Sequence, residues 1–139
     1  MNDWPATGPD DPLHRRAHQK VLRRVREFCL AKPQTAEKQS RGHIPVITVG
    51  GKNFCIFWRA DGRPNVCFST PPGLQQVLVR EDPERYFVPA YMGVRGWVGI
   101  RLDVDVDWEA LENVANESYS FAAPKPKASK TQRARSKRA

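Results

Sequence analysis

The sequence predicts an α+β domain in which an antiparallel sheet carries its helices on one face. Three observations lead to this class: a helical apolar period near the N-terminus, short strand-like runs separated by glycine turns, and a second helical period after residue 105. Strands joined by tight turns and flanked by helices favour an antiparallel sheet over a parallel one. The chain has 139 residues, which is enough for one such domain and its tails.

The first helix is predicted to begin at Asp11-Pro12 and to end at Lys32-Pro33. An acidic N-cap followed by proline is a typical helix start, and the second proline stops the helix. The apolar residues between them recur with a helical period. The outer surface of this helix is basic, which is typical either of a solvated surface or of a polyanion contact, and its candidate contacts are Arg16, Lys20 and Arg23.

The middle of the chain is predicted to form two hairpins. Residues 34–43 are polar and are predicted to be a loop, whereas residues 44–49, 54–59 and 65–69 are predicted strands. Paired glycines at Gly50-Gly51 and the pair Asp61-Gly62 supply the turns. If the second hairpin is centred on Asp61, its core face holds Phe54, Ile56, Trp58, Val66 and Phe68, and Cys55 lies opposite Cys67.

The second half of the domain is predicted to contain a short helix, a strand and a last helix. They span about residues 72–80, about residues 96–102, and about residues 105–121. Because successive strand side chains alternate between faces, Val98, Ile100 and Leu102 are expected to point into the core. Trp97 and Arg101 are expected on the other face.

Strand parity predicts a basic and aromatic sheet face on the side away from the helices. Guanidinium groups pair with phosphates and flat rings stack on bases, so such a face is typical of nucleic-acid binding. Its predicted members are Phe57, Arg59, Trp97 and Arg101, with Lys52 and Arg63 at the hairpin tips and Arg95 at the turn before the last strand. Two alternatives remain: the arginines are ordinary soluble surface, or a pocket around Tyr91, Arg95 and Trp97 binds a small anionic ligand or a protein.

The positive charge is concentrated in the C-terminal tail. We predict a flexible leader over residues 1–10, a domain over 11–122 and a disordered basic tail over 123–139. Residues 125–139 hold seven of the 23 basic residues and none of the 15 acidic ones. Such a tail predicts a polyanion-binding arm, unless it serves solubility alone. Its candidate contacts are Arg133, Arg135, Lys137 and Arg138.

Several other classes of protein are not indicated by the sequence. There is no apolar run of membrane-spanning length and no signal pattern, so we expect a cytoplasmic protein without membrane association. Cys29, Cys55 and Cys67 lack metal-binding spacing and are predicted to be free thiols. We find no motif for a nucleophile, a P-loop or a calcium loop, so the sequence predicts a non-catalytic protein without cofactor or metal.

Five segments in a fixed order resemble the MmcQ/YjbR family. They are Phe28-Cys-Leu-Ala-Lys-Pro33, Gly51-Lys-Asn-Phe-Cys-Ile56, Asn65-Val-Cys-Phe-Ser69, the run 87–103 with its Val-Pro-Ala-Tyr and Arg-Gly-Trp motifs, and Asn116-Glu-Ser-Tyr119. The resemblance spans roughly residues 22–124 and implies a frataxin-like two-layer sandwich, also called a double-wing fold, and a proposed DNA-binding role. The chain departs from the family pattern at Phe68-Ser69-Thr70, where many members carry a lysine.

Overall fold

A computed structural model describes residues 4, 6, 8 and 10–124. Its helices are α1 (Gln19–Leu30), α2 (Leu74–Glu81) and α3 (Trp108–Ala122), with 3-10 turns at Pro12–His14, Arg16–His18 and Gly93–Arg95. Its strands are β1 (Thr35–Ser40), β2 (Ile44–Val49), β3 (Lys52–Ala60), β4 (Arg63–Phe68), β5 (Tyr86–Phe87) and β6 (Val98–Arg101). The predicted α+β class is confirmed.

Within the described residues the strands form one six-stranded antiparallel sheet in the order β1-β2-β3-β4-β6-β5. Two of these strands are absent from the sequence-based prediction. Strand β1 was predicted to be a loop because its residues, Thr-Ala-Glu-Lys-Gln-Ser, are polar. It is an edge strand that pairs along its whole length with β2, so its backbone hydrogen bonds, not apolar burial, hold it in place. Strand β5 is two residues long and has no periodicity to detect.

The core lies between one face of the sheet and helices α1 and α3. Val98, Ile100 and Leu102 are buried in it, as their alternation predicts. Both helices contribute a buried stripe, which holds Leu22, Val25 and Cys29 on α1 and Leu111, Val114 and Ala115 on α3. Trp4, inside the predicted leader, also packs in this core, and its ring centroid lies 4.7 Å from that of Phe57.

Helix α1 begins later than predicted. The Asp11 carboxylate does accept a hydrogen bond from the Leu13 backbone N–H at 3.0 Å, as an N-cap does. The turn that it caps is a 3-10 turn over Pro12–His14, and a second one follows before the α-helix starts at Gln19. Asp11 has a further partner, because it is buried against Arg59 of β3. Tertiary contact thus decides the form of this segment.

The register of the β3–β4 hairpin differs from the predicted one by one residue. Asp61 and Gly62 both have positive φ, 55° and 70°, which makes a two-residue turn that pairs Ala60 with Arg63. A shift of one residue moves a side chain to the other face of a sheet. Phe57 therefore lies opposite Val66 in the core, and Ile56 and Trp58 lie on the outer face.

A bulge in β3 explains why Phe54 is nevertheless in the core, as predicted. Thr48 pairs with Asn53 and Ile47 pairs with Cys55, which leaves Phe54 as the extra residue. Phe54 and Cys55 are consecutive, and both are fully buried in the core. Cys55 is paired with Phe68, so the predicted Cys55–Cys67 opposition is wrong.

Gly99 of β6 leaves room for the ring of Phe87, which lies directly over it. A Cβ at Gly99 would come within 2.3 to 2.7 Å of three ring carbons of Phe87. We expect Gly99→Ala to lower the free energy of unfolding by about 1–3 kcal/mol, because overpacking forces side chains or backbone to shift. Urea unfolding followed by tryptophan fluorescence measures this. The double variant Gly99→Ala/Phe87→Ala should be less destabilised than the two single changes added together, and simple additivity would contradict the steric explanation.

Candidate functional site

A cleft of about 580 Å³ opens beside the β2–β3 turn, the loop that leads into β6 and the end of α3. We call it the basic cleft. It is lined by Lys38, Gly51, Lys52, Asn53, Ile56, Ser69, Met92, Arg95, Trp97 and Phe121. Three of these described lining residues are cationic and none is acidic. The cleft therefore has a positive potential and an apolar, aromatic wall, which suits a ligand that combines anionic and flat apolar groups.

Each cation of the basic cleft comes from a different element. Lys38 lies on β1 in register with Val46, and Val46 is in register with Ile56 across the outer face of the sheet. Lys52 follows the turn Gly50-Gly51, and Arg95 ends the 3-10 turn before β6. In the described part of the chain no carboxylate lies within ion-pair distance of these three side chains. Their charges are therefore available to an incoming anion.

The wall that carries Arg95 and Trp97 is held by buried hydrogen bonds. Gln75 of α2 is 5% exposed, and its amide donates to the Gly93 carbonyl at 2.8 Å and to the Trp97 carbonyl at 2.6 Å. The Thr70 hydroxyl donates to the Gly96 carbonyl. Gly96 has φ 87°, a left-handed conformation that glycine adopts without strain. The loop is thus fixed relative to the sheet before any ligand arrives.

A smaller recess of about 310 Å³ adjoins the basic cleft and shares Arg95 and Phe121 with it. Phe121 is 46% exposed at the end of α3, and the Lys52 ammonium lies 5.8 Å from its ring centroid. Ring and cations together could hold a base and its neighbouring phosphates. The adjoining recess lengthens the surface along which an extended ligand could lie.

The C-terminal segment leaves the domain beside the basic cleft. A Cβ at Gly50 would come within 2.7 Å of the Pro124 ring, so Pro124 packs against the turn that carries Gly51 and Lys52. The predicted tail contacts Arg133, Arg135, Lys137 and Arg138 lie outside the described residues, as do residues 125–139 as a whole. In the sequence, the seven basic residues of this segment follow Pro124.

Two predicted members of the outer face lie on the helix side instead. Phe57 is fully buried in the core, and Arg59 forms an ion pair with the buried Asp11, at 2.7 Å from Nε and 3.0 Å from Nη2. The one-residue difference in register is the cause, because it exchanges the two faces of β3. The prediction that Phe57 and Arg59 share a face with Trp97 and Arg101 is therefore wrong.

Two other predicted arginines lie outside the cleft lining and have partners within the chain. Arg101 lies over the Phe87 ring and donates to the carbonyls of Pro83 and Glu84, each at 3.0 Å. Arg63 makes a two-pronged ion pair with Asp103, at 2.7 and 2.9 Å. This hydrogen-bonded pair lowers the pKa of the Asp103 carboxyl and raises that of the Arg63 guanidinium. Both arginines therefore have partners within the free protein.

The basic residues of α1 are separate from the basic cleft. Lys20 and Arg23 line a different cleft of about 860 Å³, between α1 and the loop that precedes α3. Its charge is mixed, because Glu27, Asp103 and Asp105 also line it. Arg16 lies in the 3-10 turn that precedes α1 and is exposed. The binding role predicted for these three residues stays a prediction, and it concerns a second surface.

The three cysteines are buried free thiols in the structure. Burial raises the pKa of the Cys67 thiol to about 12. Burial, followed by a hydrogen bond and charge interaction with Cys29, raises the pKa of Cys55 well above its usual value. Since thiolate is the reactive form, these groups are poor nucleophiles. Over the described residues, His, Cys, Asp and Glu side chains form no group of three that could hold a metal ion.

Of the contacts predicted from the sequence, Lys52, Arg95 and Trp97 lie together in the lining of the basic cleft, where Trp97 is 9% exposed, whereas Tyr91 lies outside that lining. The sequence analysis did not include Lys38, Met92 and Phe121. Lys38 was in the predicted loop, and its place on the outer face depends on β1 pairing with β2. Phe121 could have been suspected as an aromatic at the end of the apolar stripe of α3.

Among the described residues, no helix has the length and apolar character needed to cross a bilayer.

Comparison with known proteins agrees with this fold. The family model YjbR matches residues 30–121. The crystal structure of the Deinococcus radiodurans protein DR2400, which carries a DUF419 domain, superposes with a TM-score of 0.67 at 19% sequence identity. The superposition covers 80% of this chain and 86% of that chain, and at this identity it concerns the fold alone. No curated protein sequence matches the chain.

Proposed function

The chain belongs to the YjbR family, and from this premise we propose that it is a non-catalytic nucleic-acid-binding protein that takes DNA in the basic cleft. The observation that carries the proposal is the composition of that cleft. Lys38, Lys52 and Arg95 converge there beside Trp97 and Phe121, and no described lining residue is acidic. Nucleic acids combine repeated phosphates with flat rings, which matches this composition.

The cleft supplies the two kinds of contact that nucleic-acid binding requires. Cationic side chains pair with backbone phosphates, give most of the affinity and make it depend on salt. Aromatic side chains stack on bases and tolerate different sequences. Neither contact reads base edges, so we propose binding with little sequence preference. The fixed loop at Arg95 supports this role, because a preorganised site loses less entropy on binding.

The tail strengthens this proposal through its charge and its point of attachment. Its seven basic residues begin directly after Pro124, which packs at the rim of the cleft. A strand held in the cleft is therefore within reach of the tail, and tethering raises the effective concentration of the second contact. We propose that the cleft positions the nucleic acid and that the tail adds salt-sensitive affinity.

The test is a comparison of the full chain with residues 1–124, which retain every described helix and strand. Both are titrated with a labelled DNA oligonucleotide at about 50 and 200 mM salt. We expect residues 1–124 to bind with a slope of log K against log salt of about −2 to −3, from three cleft contacts. Engagement of the whole tail makes the slope of the full chain steeper by about 5 to 6. Absence of binding by both forms would refute the proposal.

A second candidate is a binding module for a small anionic ligand. It is favoured by the cleft volume of about 580 Å³, which is in the ordinary range for small-molecule sites. Arg95 and Trp97 would then hold the ligand, with Tyr91 beside them on the same loop. A thermal-shift screen of nucleotides and other anionic metabolites separates the two candidates. A shift by one such compound that Arg95→Ala abolishes, without oligonucleotide binding by residues 1–124, favours the small ligand.

A further inference from the structure

Tyr91 has a backbone conformation that a tyrosine rarely adopts. Its φ is 65°, and the Met92 N–H donates to the Ala90 carbonyl at 2.7 Å, so Tyr91 is the central residue of a γ-turn with positive φ. This kind of turn is rare and strained. For a bulky residue a positive φ is unfavourable, because Cβ crowds the backbone, whereas glycine would adopt it freely.

The strained turn is held in place on both sides. The Gly93 N–H donates to the Pro89 carbonyl at 2.8 Å, and Gln75 anchors the Gly93 carbonyl from α2. Val88 packs so closely on Gly93 that a Cβ there would come within 2.3 Å of it. These contacts explain how the turn persists. They do not explain why its central residue is a tyrosine.

Packing gives no reason for the tyrosine side chain. Tyr91 is 94% exposed, so its ring buries almost no apolar surface in the free protein. The neighbouring Val94 is also 94% exposed, and Val88 is 54% exposed. Strained residues that a scaffold holds in place cluster at ligand-contacting sites. The exposed phenol ring stands on a backbone turn that is held in place, and it is next in sequence to Met92, which lines the basic cleft. Tyr91 itself lies outside the lining, so its ring is placed to contact a ligand that extends beyond the cleft.

We propose that Tyr91, on the loop beside the basic cleft, stacks on a base and that the ligand is single-stranded nucleic acid. This inference rests on the proposed function and deepens it. Lys38, Lys52 and Arg95 contact the phosphates, and one base unstacks from its neighbours and lies on the Tyr91 ring. In a duplex the faces of the bases are covered by the adjacent base pairs. Only an unpaired base can therefore stack on the Tyr91 ring. Stacking of this kind contributes about 1–3 kcal/mol per base, or about 5- to 150-fold in affinity.

The test uses the full chain with three ligands that separate stacking from charge. These are a single-stranded DNA of about 12 nucleotides, which is within the usual range of single-strand site sizes, its duplex, and inorganic polyphosphate. We expect Tyr91→Ala to weaken binding of the single strand by about 5- to 150-fold and to leave binding of the duplex and of polyphosphate unchanged. Tyr91→Trp keeps a flat ring and should retain single-strand binding.

A stability measurement shows whether strain and binding reside in the same residue. We expect Tyr91→Gly to raise the melting temperature, because glycine adopts the positive φ freely, and to lose single-strand affinity as Tyr91→Ala does.

Unchanged single-strand binding by Tyr91→Ala overturns the inference, and so does an equal loss of polyphosphate binding. If Tyr91→Ala binds normally while charge reversal in the cleft abolishes binding, the stacking inference alone fails. If the unaltered chain binds no oligonucleotide, the proposed function fails with it.

Discussion

Replacement of Lys52 and Arg95 together by glutamate is expected to weaken oligonucleotide binding by residues 1–124 about 100-fold or more. Both side chains line the basic cleft, from the β2–β3 turn and from the loop before β6. Each change removes one charge-assisted contact to phosphate, worth about 1.5–3 kcal/mol, and adds repulsion. Two such losses correspond to at least two factors of ten in affinity. Fluorescence anisotropy at constant salt measures the effect, and the tail-less form avoids compensation by the tail.

The matched control changes the net charge equally without touching the cleft. Arg41, in the turn between β1 and β2, and Arg80, near the end of α2, are exposed and line none of the clefts described above. The variant Arg41→Glu/Arg80→Glu should reduce affinity only through the weaker overall field, by much less than the cleft variant. Equal losses for the two variants would mean that net charge, and not the basic cleft, governs binding.

Removal of the Asp11 carboxylate is expected to produce the largest loss of stability. The Asp11 side chain is fully buried and that of Arg59 is 13% exposed, with their closest approach at 2.7 Å. Asp11→Ala leaves a nearly buried guanidinium without its anion and also removes the cap at Leu13. Breaking a buried pair in this way costs about 3–5 kcal/mol, and the residual exposure of Arg59 favours the lower end. Urea unfolding followed by tryptophan fluorescence measures the loss.

Two further variants separate the charge effect from other causes. Asp10→Ala removes an exposed carboxylate at the adjacent position and should change stability by less than about 0.5 kcal/mol. Asp11→Ala/Arg59→Met removes both charges, so it should recover much of the stability that Asp11→Ala loses. If the double variant is as unstable as the sum of its single changes, the ion pair is not the cause of the loss.

Local patterns were sufficient to predict much of the fold. The alternation of Val98, Ile100 and Leu102 identifies the core face of β6 because side-chain direction in a strand follows directly from position. The resemblance to the YjbR family is confirmed by the family match. The two edge strands were missed because edge pairing uses backbone groups, which every residue type carries, and leaves no apolar alternation in the sequence.

The site was predictable only in part, because its members depend on register. Lys52, Arg95 and Trp97 lie next to turns, and the turns were correctly placed. The two faces of β3 were predicted wrongly, although Asp61-Gly62 is a typical two-residue hairpin turn. The register set by that turn places Arg59 on the helix side of the sheet and not on the outer face. There it pairs with Asp11, 48 residues away in sequence. A pairing of this separation has no local signal.

Sequence patterns alone predict the α+β class, the core-facing residues of the last strand and the concentration of charge after residue 124. Each of these is a property of composition or of local period, which adjacent residues carry. The tertiary structure decided which cations are neutralised and which remain available. Arg59 and Arg63 pair with carboxylates, whereas Lys38, Lys52 and Arg95 converge on one cleft beside an exposed, strained Tyr91. The physical reason is that a charge acts through its distance to other charges, and folding sets those distances.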